Sequence, residues 1–191
     1  MALAPVLERL LTAEEFAETC DPPGMTTELV RGMIVTMPPA KTMHGSRGSL
    51  IEGELRAFAR RHRLGLTTGE GGYVLARDPD TVRAPDAAFI ESGRIPVGGV
   101  PEDAYFAGAP TLAVEVVSSS DRARDVADKV RDWLAAGASR VWEVRPKSRT
   151  VLVHRPGAGP VTRGLGDTLT SGDAGFTVDG FALPVSEIFA R

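Results

Sequence analysis

Two carboxylates stand in runs that otherwise read as buried strands: Asp86 in "RAPDAAFI" and Glu115 in "TLAVEVVSSSD". Their neighbours are apolar, Ala84, Ala87, Ala88 and Phe89 around the first and Val114, Val116 and Val117 around the second. An unpaired charge among such residues is costly or neutralises. Two carboxylates about 4 Å apart repel by roughly 4 kcal/mol at an effective dielectric of about 20, and a bound cation reverses that sign. Hard divalent ions such as Mg²⁺ take oxygen ligands, and a catalytic site commonly supplies one or two carboxylates, leaving waters and substrate phosphates to complete the octahedron. Asp86 and Glu115 meet that requirement as a pair. Taken singly, each has a plainer reading: Asp86 bonding local backbone at a strand start marked by Pro85, and Glu115 paired with an arginine or facing solvent on an edge strand.

Lys129 is the third candidate. It lies on the helix that leaves the Glu115 strand, within a turn of Val126 and Trp133, so its stem runs along the edge of an apolar stripe. Reaching back toward the strand end, its ammonium would orient or deprotonate an attacking water, or neutralise charge developing on a phosphoryl group. Turned outward, it would pair with Asp125 or Asp132 on the helix surface. Glu70, in "GEGGYV", is a further acid that could line such a site, although glycines leading into a strand argue against a phosphate-cradling loop. His44, His62 and His154 have no zinc spacing, and Ser118 to Ser120 lack the context of a hydrolase nucleophile and read as helix caps.

The elements that must position these residues are legible from periodicity. Thr12 with Glu15 predicts a capping box opening a short helix through "AEEFAE". "ELVRGMIVTM" predicts a hairpin turning at Arg31-Gly32. Between His44 and His62, Leu50, Ile51, Leu55, Phe58 and Ala59 recur at helical spacing, with Arg56, Arg60 and Arg61 opposite. "YVLAR" and "TVRAPDAAFI" read as two strands joined by "DPD", followed by a long Gly- and Pro-rich loop. Beyond the Glu115 strand, Val126, Val130, Trp133 and Leu134 mark a second helix ended by Gly137. "SRVWEVRP" and "TVLVHRP" form a hairpin, and short strands with Gly-rich turns close the chain. The pattern is a mixed α/β (α+β) domain.

Composition bounds the function classes. With 191 residues, 42% hydrophobic and 25% charged, the chain is expected to fold as one domain over 1–191. A lone Cys20 excludes an internal disulfide, and the N-terminus "MALAPVLERLLTAEEF" lacks a basic leader, so a reducing, cytoplasmic setting is expected. No apolar run approaches the ~18 residues of a spanning helix. A net charge of −3 argues against a surface that binds nucleic acid everywhere, while leaving room for a local basic groove.

In "LTAEEFAE", "TELVRGMIV", His44 before the first long helix, "APDAAFI", "LAVEVVSSSDRARDVADKV" and "GASRVWEVRP", the chain resembles the Uma-two family, endonuclease-like proteins of the PD-(D/E)XK, or restriction-endonuclease-like, superfamily. The matching pieces run across most of the chain in the expected order. The resemblance implies a restriction-endonuclease-like central mixed β-sheet flanked by helices, with extra hairpins. It also implies a Mg²⁺-dependent hydrolysis of phosphodiester bonds in nucleic acid, DNA above all, in which Mn²⁺ can substitute. Asp86 and Glu115 would be the metal ligands. The superfamily lysine usually stands two residues after the second acid, where this chain has Val117, and Lys129 matches a position migrated onto the next helix. Glu28 matches an acidic position of the family and could supply a further metal or water ligand, and His44 matches its histidine before the first long helix, either a catalytic base or a cap or packing residue. A homodimer is common for such domains, with the hairpin around Trp142 as a candidate contact. The rival expectations are a nuclease-like binding module without catalysis and a metal-dependent hydrolase of another substrate.

Overall fold

The structure, a computed structural model, describes residues 9–190. In chain order the elements are α1 (Ala13–Ala17), β1 (Thr26–Val30), β2 (Met33–Met37), α2 (Thr42–His62), β3 (Gly65–Thr68), β4 (Tyr73–Ala76), β5 (Thr81–Arg83) and β6 (Ala87–Glu91). A 3₁₀ turn (Ser92–Arg94) follows, then β7 (Phe106–Ala107), β8 (Leu112–Val116), α3 (Ala123–Ala135), β9 (Arg140–Arg145), β10 (Thr150–Arg155) and β11 (Ala158–Arg163). The chain closes with β12 (Thr168–Thr170), α4 (Ser171–Ala174), β13 (Ala182–Pro184) and α5 (Val185–Ile188). A six-stranded mixed sheet in the order β11-β10-β9-β8-β6-β3 forms the centre, and a five-stranded sheet, β2-β1-β5-β4-β7, stands beside it. This is the restriction-endonuclease-like α+β architecture that the sequence led us to expect.

Alternation along β8 explains the layering. Val114 and Val116 face α2, which packs Ile51, Leu55 and Ala59 against them, and Phe176, Phe181 and Ile188 from the C-terminal segment close that core. Ala113 faces the other way, toward Val130 and Trp133 of α3. Trp133 stacks edge-on against Tyr73 of the five-stranded sheet, centroids 5.7 Å apart, so α3 is packed between the two sheets. Glu115 has the parity of Ala113 and therefore shares that inner face. On the outer face of the five-stranded sheet, Ala13 and Phe16 of α1 cover Leu29, Val74 and Val82. The Thr12 capping box is present as expected, and the β1–β2 hairpin turns at Arg31 and Gly32, both with positive φ.

Three local expectations are corrected and one strand is added. "TVRAPDAAFI" is two strands rather than one: β5 belongs to the five-stranded sheet and β6 to the six-stranded one. Pro85 has no N–H for a ladder and restricts Ala84, so the chain crosses between sheets there. β3 was not foreseen, because "GLTT" is short and weakly alternating. Ser118 to Ser120 do not cap α3, whose N-cap is Arg122 with no side-chain bond; Asp121 instead accepts from the Ser118 N–H at 2.7 Å. Leu50 is 37% exposed, outside the core stripe of α2.

Candidate active site

Asp86 follows the crossover between sheets and is held from both sides. Its backbone N–H donates to the Val114 carbonyl at 2.9 Å, and the Val116 N–H donates to its Oδ2 at 2.6 Å. The carboxylate is thereby latched to β8, one residue from Glu115. Its Oδ1 is 2.6 Å from His44 Nε2 on the first turn of α2. That hydrogen bond raises the His44 pKa above its ordinary value, against the opposing effect of burial. Gly48 brings α2 close enough for this contact: a Cβ there would stand 3.3 Å from the Asp86 Cβ.

Glu115 is buried, with the Trp133 indole N–H donating to Oε1 at 2.7 Å and Lys129 Nζ donating to Oε2 at 3.2 Å. Burial, together with the like charges of Glu28 and Asp86, pushes its pKa up to about 7 despite Lys129 and Trp133. Lys129 also meets Glu28 Oε1 at 3.1 Å. Burial works against the Lys129 charge, but Glu115 and Glu28 outweigh it and hold its pKa above the ordinary lysine range. The outward pairing of Lys129 with Asp125 or Asp132 is thus overturned by the inward one.

Glu28, opposite Val35 in the β1–β2 ladder, is 2% exposed. Its Oε2 accepts from Arg83 Nη1 at 2.8 Å and its Oε1 from the Ala84 N–H at 3.3 Å. Arg83 turns its remaining donors to Asp132 Oδ2, at 2.9 Å from Nε and 2.6 Å from Nη2. A continuous chain therefore runs from Asp132 through Arg83, Glu28 and Lys129 to Glu115. Arg83 and the Trp133 N–H were not singled out from the sequence, and Asp132 was read only as a surface partner of Lys129; Trp133 read as core, and the one available signal for Arg83 was a charge inside a strand three residues before Asp86.

Glu70 is exposed on the loop between β3 and β4. It lines a cleft of about 370 Å³ with Asp86, Gly45, Gly48, Ser49, Glu52, Arg56 and Gly69, and a second of about 250 Å³ bordered by Arg83, Ala84 and Tyr105. The structure thus brings Asp86, Glu115, Lys129, Glu28 and His44 together and sets Glu70 at the rim.

The donor set suits a hard divalent ion. Asp86 and Glu115 are the two carboxylates that could hold such an ion, since Mg²⁺ is commonly bound through one or two carboxylates plus substrate phosphates. Each carboxylate oxygen keeps a lone-pair direction beyond its present partner. Glu28, Asp86, Glu115 and Asp132 share this region with Arg83 and Lys129, with Arg131 at 3.9 Å from Asp132 and with His44 on Asp86.

Comparison with known proteins agrees with this fold. A solved structure described as a "putative nuclease belonging to DUF820", from Anabaena variabilis ATCC 29413, superposes with a TM-score of 0.77 at 21% identity, over 94% of this chain and 97% of that one. No curated protein matches. The family model described as "Putative restriction endonuclease" matches residues 13–185, a span that includes every residue of the cluster. The chain belongs to the Uma2 family of restriction-endonuclease-like proteins.

Proposed function

We propose that the protein is a Mg²⁺-dependent endonuclease that hydrolyses phosphodiester bonds of nucleic acid, DNA in the first instance, with Mn²⁺ able to substitute. The observation that carries this reading is the latch of the Asp86 carboxylate onto the Val116 N–H, the residue next to Glu115 on β8, with the Lys129 ammonium on Glu115. Asp86 and Glu115 would hold the ion. Bound there, Mg²⁺ supplies a polarised phosphoryl oxygen and a water of lowered pKa.

The remaining residues act around that pair. Lys129 sets a positive charge where the phosphoryl oxygens gain negative charge. Glu28, with both oxygens committed to cations, holds Lys129 in place. His44 fixes the orientation of Asp86, and Glu70 borders the cleft through which substrate would approach. Within the same proposal the chain acts as one domain in the cytoplasm, as a homodimer.

A second reading is a nuclease-like binding module without catalysis. The observation favouring it is Val117 at the usual lysine position, with Lys129 locked in two ion pairs. Calorimetric titration of Mn²⁺ separates the two without knowledge of the substrate. The wild type should bind Mn²⁺ and cleave DNA, and Glu115→Gln and Asp86→Asn should lose both while keeping the circular dichroism of the fold. Equal activity in both variants sinks the assignment, and a wild type that neither binds the ion nor cleaves supports the module.

A further inference from the structure

The sheet that carries Glu28 ends on an apolar edge. β2 is its last strand, bonded to β1 along one side, and no described residue pairs with its other side. The five residues Met33–Met37 include no charge and no proline. Met33, Ile34 and Val35 are 52%, 44% and 40% exposed, and by alternation they lie on both faces of the strand.

Exposed edges are ordinarily blunted by charge, proline, a bulge or shortness, and the other edges follow that rule. β7 has two residues. β11 contains Gly159 and Pro160 and ends in Arg163. β3 has four residues, and its Thr67 hydroxyl is tied to Glu52 of α2 at 2.9 Å. β2 has none of these protections.

We propose that β2 pairs antiparallel with β2 of a second copy of this chain, joining two five-stranded sheets into one across a twofold axis. Self-pairing is what the residues of this strand fit. Centred on Val35, it sets Val35 against itself, Met33 against Met37 and Ile34 against Thr36, so no like charges meet across the axis. All five residues pair before Pro38 and Pro39, which cannot donate, and the Arg31-Gly32 turn end the strand. The strand carries no charge and Thr36 is its one polar side chain, so nothing in it selects a partner of opposite charge.

The Trp142 hairpin is a poorer contact than the sequence suggested. The Trp142 side chain is fully buried, with its N–H donating to the Asp173 carbonyl at 2.7 Å. Pairing through β2 also places the interface one strand from the candidate site, because Val35 stands opposite Glu28. The two Glu28 strands would be separated by three strand spacings, about 14 Å. The proposal does not depend on the chemistry assigned to Asp86 and Glu115.

Sedimentation of the full chain between about 1 and 100 μM tests it. The wild type should run at twice the 20.2 kDa of the chain. Val35→Lys should run as a monomer with unchanged circular dichroism, while Val161→Lys, at an exposed position on the β11 edge, should remain a dimer. In a Cys20→Ser background, Val35→Cys should form a disulfide-linked dimer on mild oxidation and Val161→Cys should not. A wild type that is monomeric throughout, or a dimer that survives Val35→Lys and fails to cross-link through Val35→Cys, overturns the proposal.

Discussion

Glu115 is the residue on which the local energetics turn. Its ordinary pKa of 4.5 is pushed up to about 7 by burial first and by its acidic neighbours second. The metal-free folded chain therefore holds this proton more tightly than the unfolded chain. A raised carboxylate pKa lowers stability as pH rises between the unfolded and folded values, with the penalty complete above the folded one. Metal-free stability, measured by urea unfolding, should thus fall from about pH 4.5 to about pH 7 by about 3 kcal/mol more in the wild type than in Glu115→Gln. Other groups titrate in this window, so the difference between the two profiles is the readout; parallel profiles would contradict the assignment. Added Mn²⁺ should flatten the wild-type slope, since a cation favours the ionised carboxylate.

At the scale of elements, Arg83 joins three of them. From β5 it reaches Glu28 on β1 and Asp132 on α3, and its own side chain is 7% exposed. The planar fork of a guanidinium can serve two carboxylates at fixed angles, which a lysine ammonium cannot reproduce. Removing one partner from a buried pair leaves the others uncompensated, at about 3–5 kcal/mol. Arg83→Gln should destabilise the protein by that order, and Arg83→Lys should recover less than half of the loss. Denaturant unfolding of both, beside the exposed control Arg61→Gln, checks this. A loss in Arg83→Gln no larger than in the control would mean that the tie between the sheet and α3 contributes nothing.

Over the whole molecule, the C-terminal segment closes the α2 face of the central sheet, and one buried acid anchors it. Asp173, 1% exposed, accepts from Arg155, Arg163 and the Thr170 N–H. Burial opposes its charge, yet Arg163 and Thr170 prevail and hold its pKa below the ordinary 3.8. A depressed carboxylate pKa contributes stability above the unfolded value and loses it as pH falls toward the folded one. Asp173→Asn should cost about 2 kcal/mol at neutral pH and should flatten the decline in stability below about pH 4. Urea unfolding at pH 7 and an acid titration followed by circular dichroism give both readouts; an unchanged acid limb would place the clamp elsewhere.

Periodicity alone determined α2, α3, the β1–β2 and β9–β10 hairpins and the capping box at Thr12, because helix period, strand alternation and turn chemistry are short-range. Asp86 and Glu115 stood out for the same kind of reason, as charges in runs whose neighbours had to be buried. The family resemblance added Glu28 and His44, and the structure places His44 on Asp86 and Glu28 on Lys129. Only the tertiary structure decided that Lys129 turns inward to Glu28 rather than outward to Asp125, that "TVRAPDAAFI" breaks between two sheets, and that Arg83, Asp132 and the Trp133 N–H complete the cluster. Those outcomes depend on partners far apart in the chain, 55 residues between Glu28 and Arg83 and 49 between Arg83 and Asp132. A buried charge takes whichever partners the packed sheets and α3 bring within reach, and no local pattern encodes which those will be.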